Sequence, residues 1–156
     1  MTQNLDIADD PVIQWVTFHL NDETYGIDVL KVQEVLKVSE ITNVPGAPDF
    51  VLGIINLRGN VVTVINTRMC LGLPSAEFDD LSRIIIIESG EQVVGLMVDS
   101  VAEVVYLYTS EIERVPNVSN EERAKYIQGV HNRDDGLLIL IDVDRLITKE
   151  EREEIS

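Results

Sequence analysis

The apolar positions of this chain fall into short alternating runs rather than helical stripes. Across residues 14–20, Val16, Phe18 and Leu20 share one face while Trp15, Thr17 and His19 share the other, the period-two pattern of a strand. Asn21-Asp22 supplies turn chemistry, and residues 24–28 return as a second strand. Val29, Val32 and Val35 then recur every third residue, which predicts a helical turn or twisted segment; their β-branching disfavours a long helix. After a Pro/Gly-rich connector at 43–48, residues 51–57 and 61–65 read as strands joined through Arg58-Gly59-Asn60. A short helical turn is expected at 69–73 and a boundary at 74–81. Ile84-Ile85-Ile86-Ile87 is too short and too branched for a helix and predicts a strand covered on both faces. Strands follow at 92–98 and 104–108, then a polar loop or short helix at 119–125. A last hairpin, 127–130 with 137–143, turns at Asp134-Asp135-Gly136. Asp142 or Asp144 can cap a short C-terminal helix that carries Val143, Leu146 and Ile147 on one face.

These elements occur twice. Gly26 and Glu34 lie 69 positions before Gly95 and Glu103; Ile41, Val44 and Pro45 lie 71 before Ile112, Val115 and Pro116. Residues 51–54 and 61–66 match 127–130 and 137–142 at a shift of 76. A shift that grows only in loops is the mark of a duplicated fold. About ten short strands in two equivalent sets, without room for helices between them, predict an all-β protein of two small barrels packed side by side.

Hydrophobic residues make up 45% of the 156-residue chain but aromatic ones only 5%, so the core must be aliphatic. The net charge of −16 argues against nucleic acid and anionic lipid, which both need clustered Lys and Arg. Cys70 is the only cysteine, so no internal disulfide can form, in keeping with a cytoplasmic location. The acidic start has no signal-peptide pattern, and no run approaches the ~20 apolar residues of a membrane span.

Catalytic chemistry finds little support. His19 and His131 each lie in a strand pattern without a nearby Cys or second His, and Cys70 reads as a small hydrophobe. Asp134-Asp135 and Asp142-Val143-Asp144 lack the glycine and distal Glu of a calcium loop, and a turn and a helix cap explain them. No catalytic, metal or cofactor site is expected. Glu34, set among valines, and Arg58, at a hairpin tip, are charges that need partners. They form a salt bridge bracing the first half, or Arg58 is presented to a partner protein; both readings stand.

Residues 25–36, the run Gly53-Ile54-Ile55-Asn56-Leu57-Arg58-Gly59-Asn60, and segments 94–101 and 140–147 together resemble the CheW-type domain of bacterial chemotaxis coupling proteins. Asn56, Leu57, Arg58 and Gly59 form that family's signature turn. The resemblance spans about residues 14–148. It implies five-stranded SH3-like barrels and sets the expected extents: a flexible acidic lead-in at 1–11, a domain at 12–148, and an acidic tail at 149–156. Barrel one would cover about 12–74 and barrel two about 82–148, with strands exchangeable between halves. It further implies a non-enzymatic cytoplasmic adaptor, recruited to receptor arrays, that links chemoreceptor tips to the regulatory domain of the histidine kinase CheA. The alternatives are an adaptor of a non-flagellar chemosensory pathway and, from another functional class, a small-ligand sensor binding between the barrels, which few aromatic and convergent polar residues disfavour. The receptor's helical hairpin would dock between the barrels by apolar anchors, beside Val29, Val32, Val35, Val98 and Val101, whose competing role is core packing. Thr63, where the family often carries Pro, and Asn66-Thr67-Arg68, where it usually carries Asp-Leu-Arg, are the departures.

Overall fold

A computed structural model describes residues 10–114 and 126–147. The expected features at 1–9, 119–125 and 149–156 lie outside the described residues. Ten strands run in chain order: β1 (Val12–Leu20), β2 (Glu23–Asp28), β3 (Val32–Lys37), β4 (Val51–Leu57), β5 (Asn60–Asn66), β6 (Arg83–Ser89), β7 (Gln92–Val98), β8 (Ser100–Tyr108), β9 (Ile127–Arg133) and β10 (Gly136–Ile141). Two one-turn helices, α1 (Thr67–Cys70) and α2 (Val143–Leu146), follow β5 and β10, capped by the side chains of Asn66 and Asp142. The triplet-spaced valines split between two elements, a 3-10 turn at Val29–Lys31 and the strand β3.

The strands form two five-stranded sheets, β8-β1-β2-β10-β9 and β3-β6-β7-β5-β4. Each half of the chain therefore lends its first hairpin to the other half. β2 enters its sheet by pairing parallel to β10, and β7 by pairing parallel to β5. The contiguous extents 12–74 and 82–148 accordingly do not delimit the two barrels.

The duplication holds at the level of single contacts. Leu140 opposes Gly26 and Val64 opposes Gly95, partners related by the shifts of 76 and 69. Beyond β3, Thr42 bridges to Ile54 of β4; beyond β8, Glu113 bridges to Val130 of β9, and these bridges draw each sheet toward closure. Both closures cross a glycine. A Cβ on Gly53 (φ 153°) would stand 2.3 Å from the Thr42 carbonyl oxygen, and one on Gly129 2.5 Å from Ile112 Cγ2, so the crossing strand leaves no space for a side chain.

Three cores result. Ile55, Val62, Val64, Ile84, Ile86 and Met97 cluster on one face of the first barrel's sheet, and Trp15, Leu107, Leu138 and Leu140 on the corresponding face of the second. The opposite faces share a larger core that includes Phe18, Leu20, Ile27, Ile85, Ile87 and Leu96. The isoleucine run of β6 thus alternates between a barrel core and the shared core, which explains its unbroken hydrophobicity. Asp10 and Pro11 are not part of a loose lead-in: Asp10 accepts hydrogen bonds from Ser110, and the Pro11 carbonyl accepts from Thr109.

Candidate partner-docking site

Apolar and charged functional candidates meet on one short segment. Asp28 caps the 3-10 turn by accepting a hydrogen bond from the Leu30 amide at 3.0 Å. On that turn Val29 is half-buried and Leu30 is 87% exposed. Val32 packs against the shared core, and Val35 on β3 is 40% exposed. In the second half Val101 packs at the shared core's margin, as Val32 does. Val98 differs: it lies in β7, flanked by β6 and β5, with no exposed surface. It is a core residue, unable to touch a partner in this structure, and the expected groove set loses it. Leu30 joins the apolar edge instead.

Glu34 occupies the next position on β3, so its side chain leaves from the strand's other face. Arg58 reaches it from the β4–β5 turn, donating two hydrogen bonds, one of 3.2 Å from Nη1 to Oε1 and a second from Nη2 to Oε2. The turn is built for this. Arg58 (φ 52°) and Gly59 (φ 89°) both take left-handed backbone, as a tight two-residue hairpin requires, and Asn56 Oδ1 accepts from the Gly59 amide at 2.8 Å. The hydrogen bond from Arg58 holds the Glu34 carboxyl below its usual range, and the same bond raises the Arg58 guanidinium. The Arg58 side chain remains 70% exposed while paired.

Among the ion pairs of the described residues that sequence reasoning missed, three join different elements of the fold. Glu103, the repeat of Glu34, accepts from Arg133 Nη2 at 3.0 Å, so the second barrel carries its own version of the brace. Arg68, nearly buried, pairs with Asp99 through Nε at 2.9 Å and through Nη2, and also donates to Asn21 and to the Pro74 carbonyl. Lys31 donates to Asp144 Oδ2 at 3.0 Å, while Ser89 Oγ donates to Asp144 Oδ1 at 3.2 Å. The available signal was the repeat itself, since the shift of 76 places a charge, Arg68 or Asp144, at the same position in both halves.

Among the described residues no group of three or more His, Cys, Asp or Glu side chains could hold a metal ion. His19 contacts Thr24 Oγ1 and His131 the Glu111 carbonyl, and Cys70 packs on the shared core. Thr63 lines an apolar recess of about 480 Å³ between Val44–Pro48 and the β4–β5 hairpin, so the departure at this position reshapes a surface, not a core.

The CheW-like domain model matches residues 14–151. The chain belongs to the CheW-like domain family. A chemotaxis protein CheW of Bacillus subtilis is 36% identical over 135 residues, covering 86% of each chain. That of Klebsiella aerogenes is 33% identical over 138 residues, covering 88% of this chain and 83% of the relative. The crystal structure of the scaffolding protein TtCheW from Thermoanaerobacter tengcongensis superposes with a TM-score of 0.81 at 35% identity, covering 90% of this chain and 91% of that one.

Proposed function

We propose that this chain is a non-enzymatic chemotaxis adaptor that joins chemoreceptor cytoplasmic tips to the regulatory domain of the histidine kinase CheA in signalling arrays. One observation carries the reading: the Val29–Lys37 segment offers an apolar edge, Val29, Leu30, Val32 and Val35, and on the other face of the same strand a braced charge, Glu34 with Arg58. A helical receptor hairpin needs apolar anchors along a groove. A folded regulatory domain can instead read the exposed guanidinium at a rigid turn, since Arg is the cation suited to geometric recognition. Holding both partners at once raises the local concentration of kinase at receptors without any chemistry by the adaptor. Its place is the cytoplasm, where receptors recruit it to the membrane.

Calorimetric titration of the chain with a receptor-tip fragment and, separately, with the CheA regulatory domain tests this. Wild type binds both. Val32→Asp loses the receptor tip by roughly tenfold or more, because a carboxylate would then be desolvated at the contact. Arg58→Ala weakens the kinase domain and leaves the receptor tip within about twofold. Failure of the folded wild type to bind either partner overturns the reading.

A further inference from the structure

We propose that the β1–β8 face of the second barrel is a separate docking surface for an arginine-bearing, proline-rich extended segment of a partner protein. Val104, Tyr106 and Tyr108 of β8 stand opposite Val16, Gln14 and Val12 of β1. Tyr106 is 65% exposed, Tyr108 49% and Val12 48%, in a chain with few aromatic residues to spare. The fold does not call for them. At the shift of 69 the first barrel places Val35 and Lys37 opposite Ile85 and Arg83, with Lys37 directly facing Arg83. The same ladder therefore forms with two cations where the second barrel has Tyr106 and Gln14.

Charge selects the occupant. Glu111 Oε1 accepts from the Tyr108 amide at 2.8 Å, and Asp10 accepts from the Ser110 amide at 2.8 Å and from its hydroxyl at 2.7 Å. Two carboxylates thus border the tyrosines with lone pairs to spare, on a chain of net charge −16. Aromatic faces beside carboxylates suit guanidinium, which stacks on the ring and pairs with the acid. The chain's own residues 1–9 contain two aspartates and no cation, so they do not meet this requirement.

Shape favours an extended ligand. The face is two strands, about 5 Å, wide and runs roughly 13 Å from Val104 to Tyr108. A helix about 10 Å across would overhang it. A polyproline segment advances about 3.1 Å per residue, keeps roughly four residues over the tyrosines and brings little conformational entropy to lose.

The test is an anisotropy titration of the full chain with a labelled synthetic peptide of prolines interspersed with arginines. Saturable binding is expected, weakened about tenfold or more by the paired change Tyr106→Ser with Tyr108→Ser. Raised salt should weaken it further, and Lys37→Ser should leave it unchanged. Trp15 fluorescence in urea verifies folding; if the paired variant is unfolded, Glu111→Gln alone should weaken binding by roughly threefold. No binding, binding indifferent to the variants, or tighter binding of a basic amphipathic helical peptide each overturns the proposal. Receptor-tip affinity of the tyrosine variant, expected to be unchanged, keeps this result separate from the adaptor reading.

Discussion

Arg68 and Asp144 occupy the same place in the two halves, yet one is a nearly buried cation and the other a half-exposed anion. Each follows the strand that receives the exchanged hairpin of the opposite half, and each meets both the far end of that hairpin and the turn of its own half's hairpin. Arg68 reaches Asn21 and, at the β7–β8 junction, Asp99; Asp144 reaches Ser89 and, at the β2–β3 junction, Lys31. The duplication therefore kept the geometry of the lock and inverted its polarity. What differs is solvent: the Arg68 side chain is 9% exposed, whereas Lys31 and Asp144 are each 41% exposed. The first lock belongs to folding. The second ties the end of the 3-10 turn at Val29–Lys31 to α2 through a half-exposed pair, which water weakens.

The largest break comes from Asp99→Ala. It strands the Arg68 guanidinium among buried neighbours, and urea unfolding followed by Trp15 fluorescence should show a loss of about 3 kcal/mol or more. Arg68→Met with Asp99→Ala should recover much of that loss, because the buried charge leaves with its partner. If Asp99→Ala costs no more than a surface change, the two locks are equivalent and the comparison fails.

The closure glycines give the next effect and a contrast within it. Gly53→Ala pushes a methyl into the Thr42 carbonyl, a backbone atom that cannot step aside, at a φ of 153°. A loss of ~2–3 kcal/mol is expected. Gly26→Ala meets Leu140 Cδ2 at 3.0 Å, the mobile end of a side chain, and should cost about 1 kcal/mol or less. Equal losses at the two sites would show that the closure strand yields where its geometry says it does not.

The strands were legible because half-buried antiparallel pairs print a period of two, and the duplication because Gly53 and its repeat Gly129 stand where no side chain fits, while Gly26 and its repeat Gly95 stand in tightly packed strands. The exchange of hairpins left no local trace. It rests on the parallel pairings of β2 with β10 and β5 with β7, which join residues remote in sequence. Val98 misled for the same reason: its repeat partner Val29 sits on an outer turn, while Val98 lies inside a sheet. Glu34 with Arg58 could be paired from sequence because an isolated charge among valines demands a partner. Arg68 with Asp99 could not, since neither residue stands out in its own segment.

The exposed lock should break gently. Lys31→Ala is expected to cost about 0.5 kcal/mol, and less as salt rises. Its hydrogen bond to Asp144 raises the Lys31 ammonium above its ordinary 10.5. A raised folded pKa places the contribution fully below pH 10.5, and the contribution fades as pH rises through the folded value. Wild type and Lys31→Ala should therefore converge in stability on the alkaline side. A constant difference would mean that Lys31 acts through its alkyl packing instead of its charge.

The smallest effect sharpens the same contrast at the Glu34–Arg58 brace, an exposed pair with a definite titration signature. The Arg58 hydrogen bond lowers the Glu34 carboxyl below its ordinary 4.5, so its contribution is present above that value and is lost as pH falls through the folded pKa. Carboxyl-carbon NMR of the wild type should place the Glu34 midpoint below 4.5, and Arg58→Ala should return it toward that value without disturbing the strand amide shifts of β3. Kinase-domain affinity measured across the same range then separates the two roles of Arg58. Affinity that follows the Glu34 titration would mean the partner needs the braced guanidinium. Affinity that ignores it, in a variant whose β3 is intact, would mean the partner reads the turn alone and the brace serves the barrel.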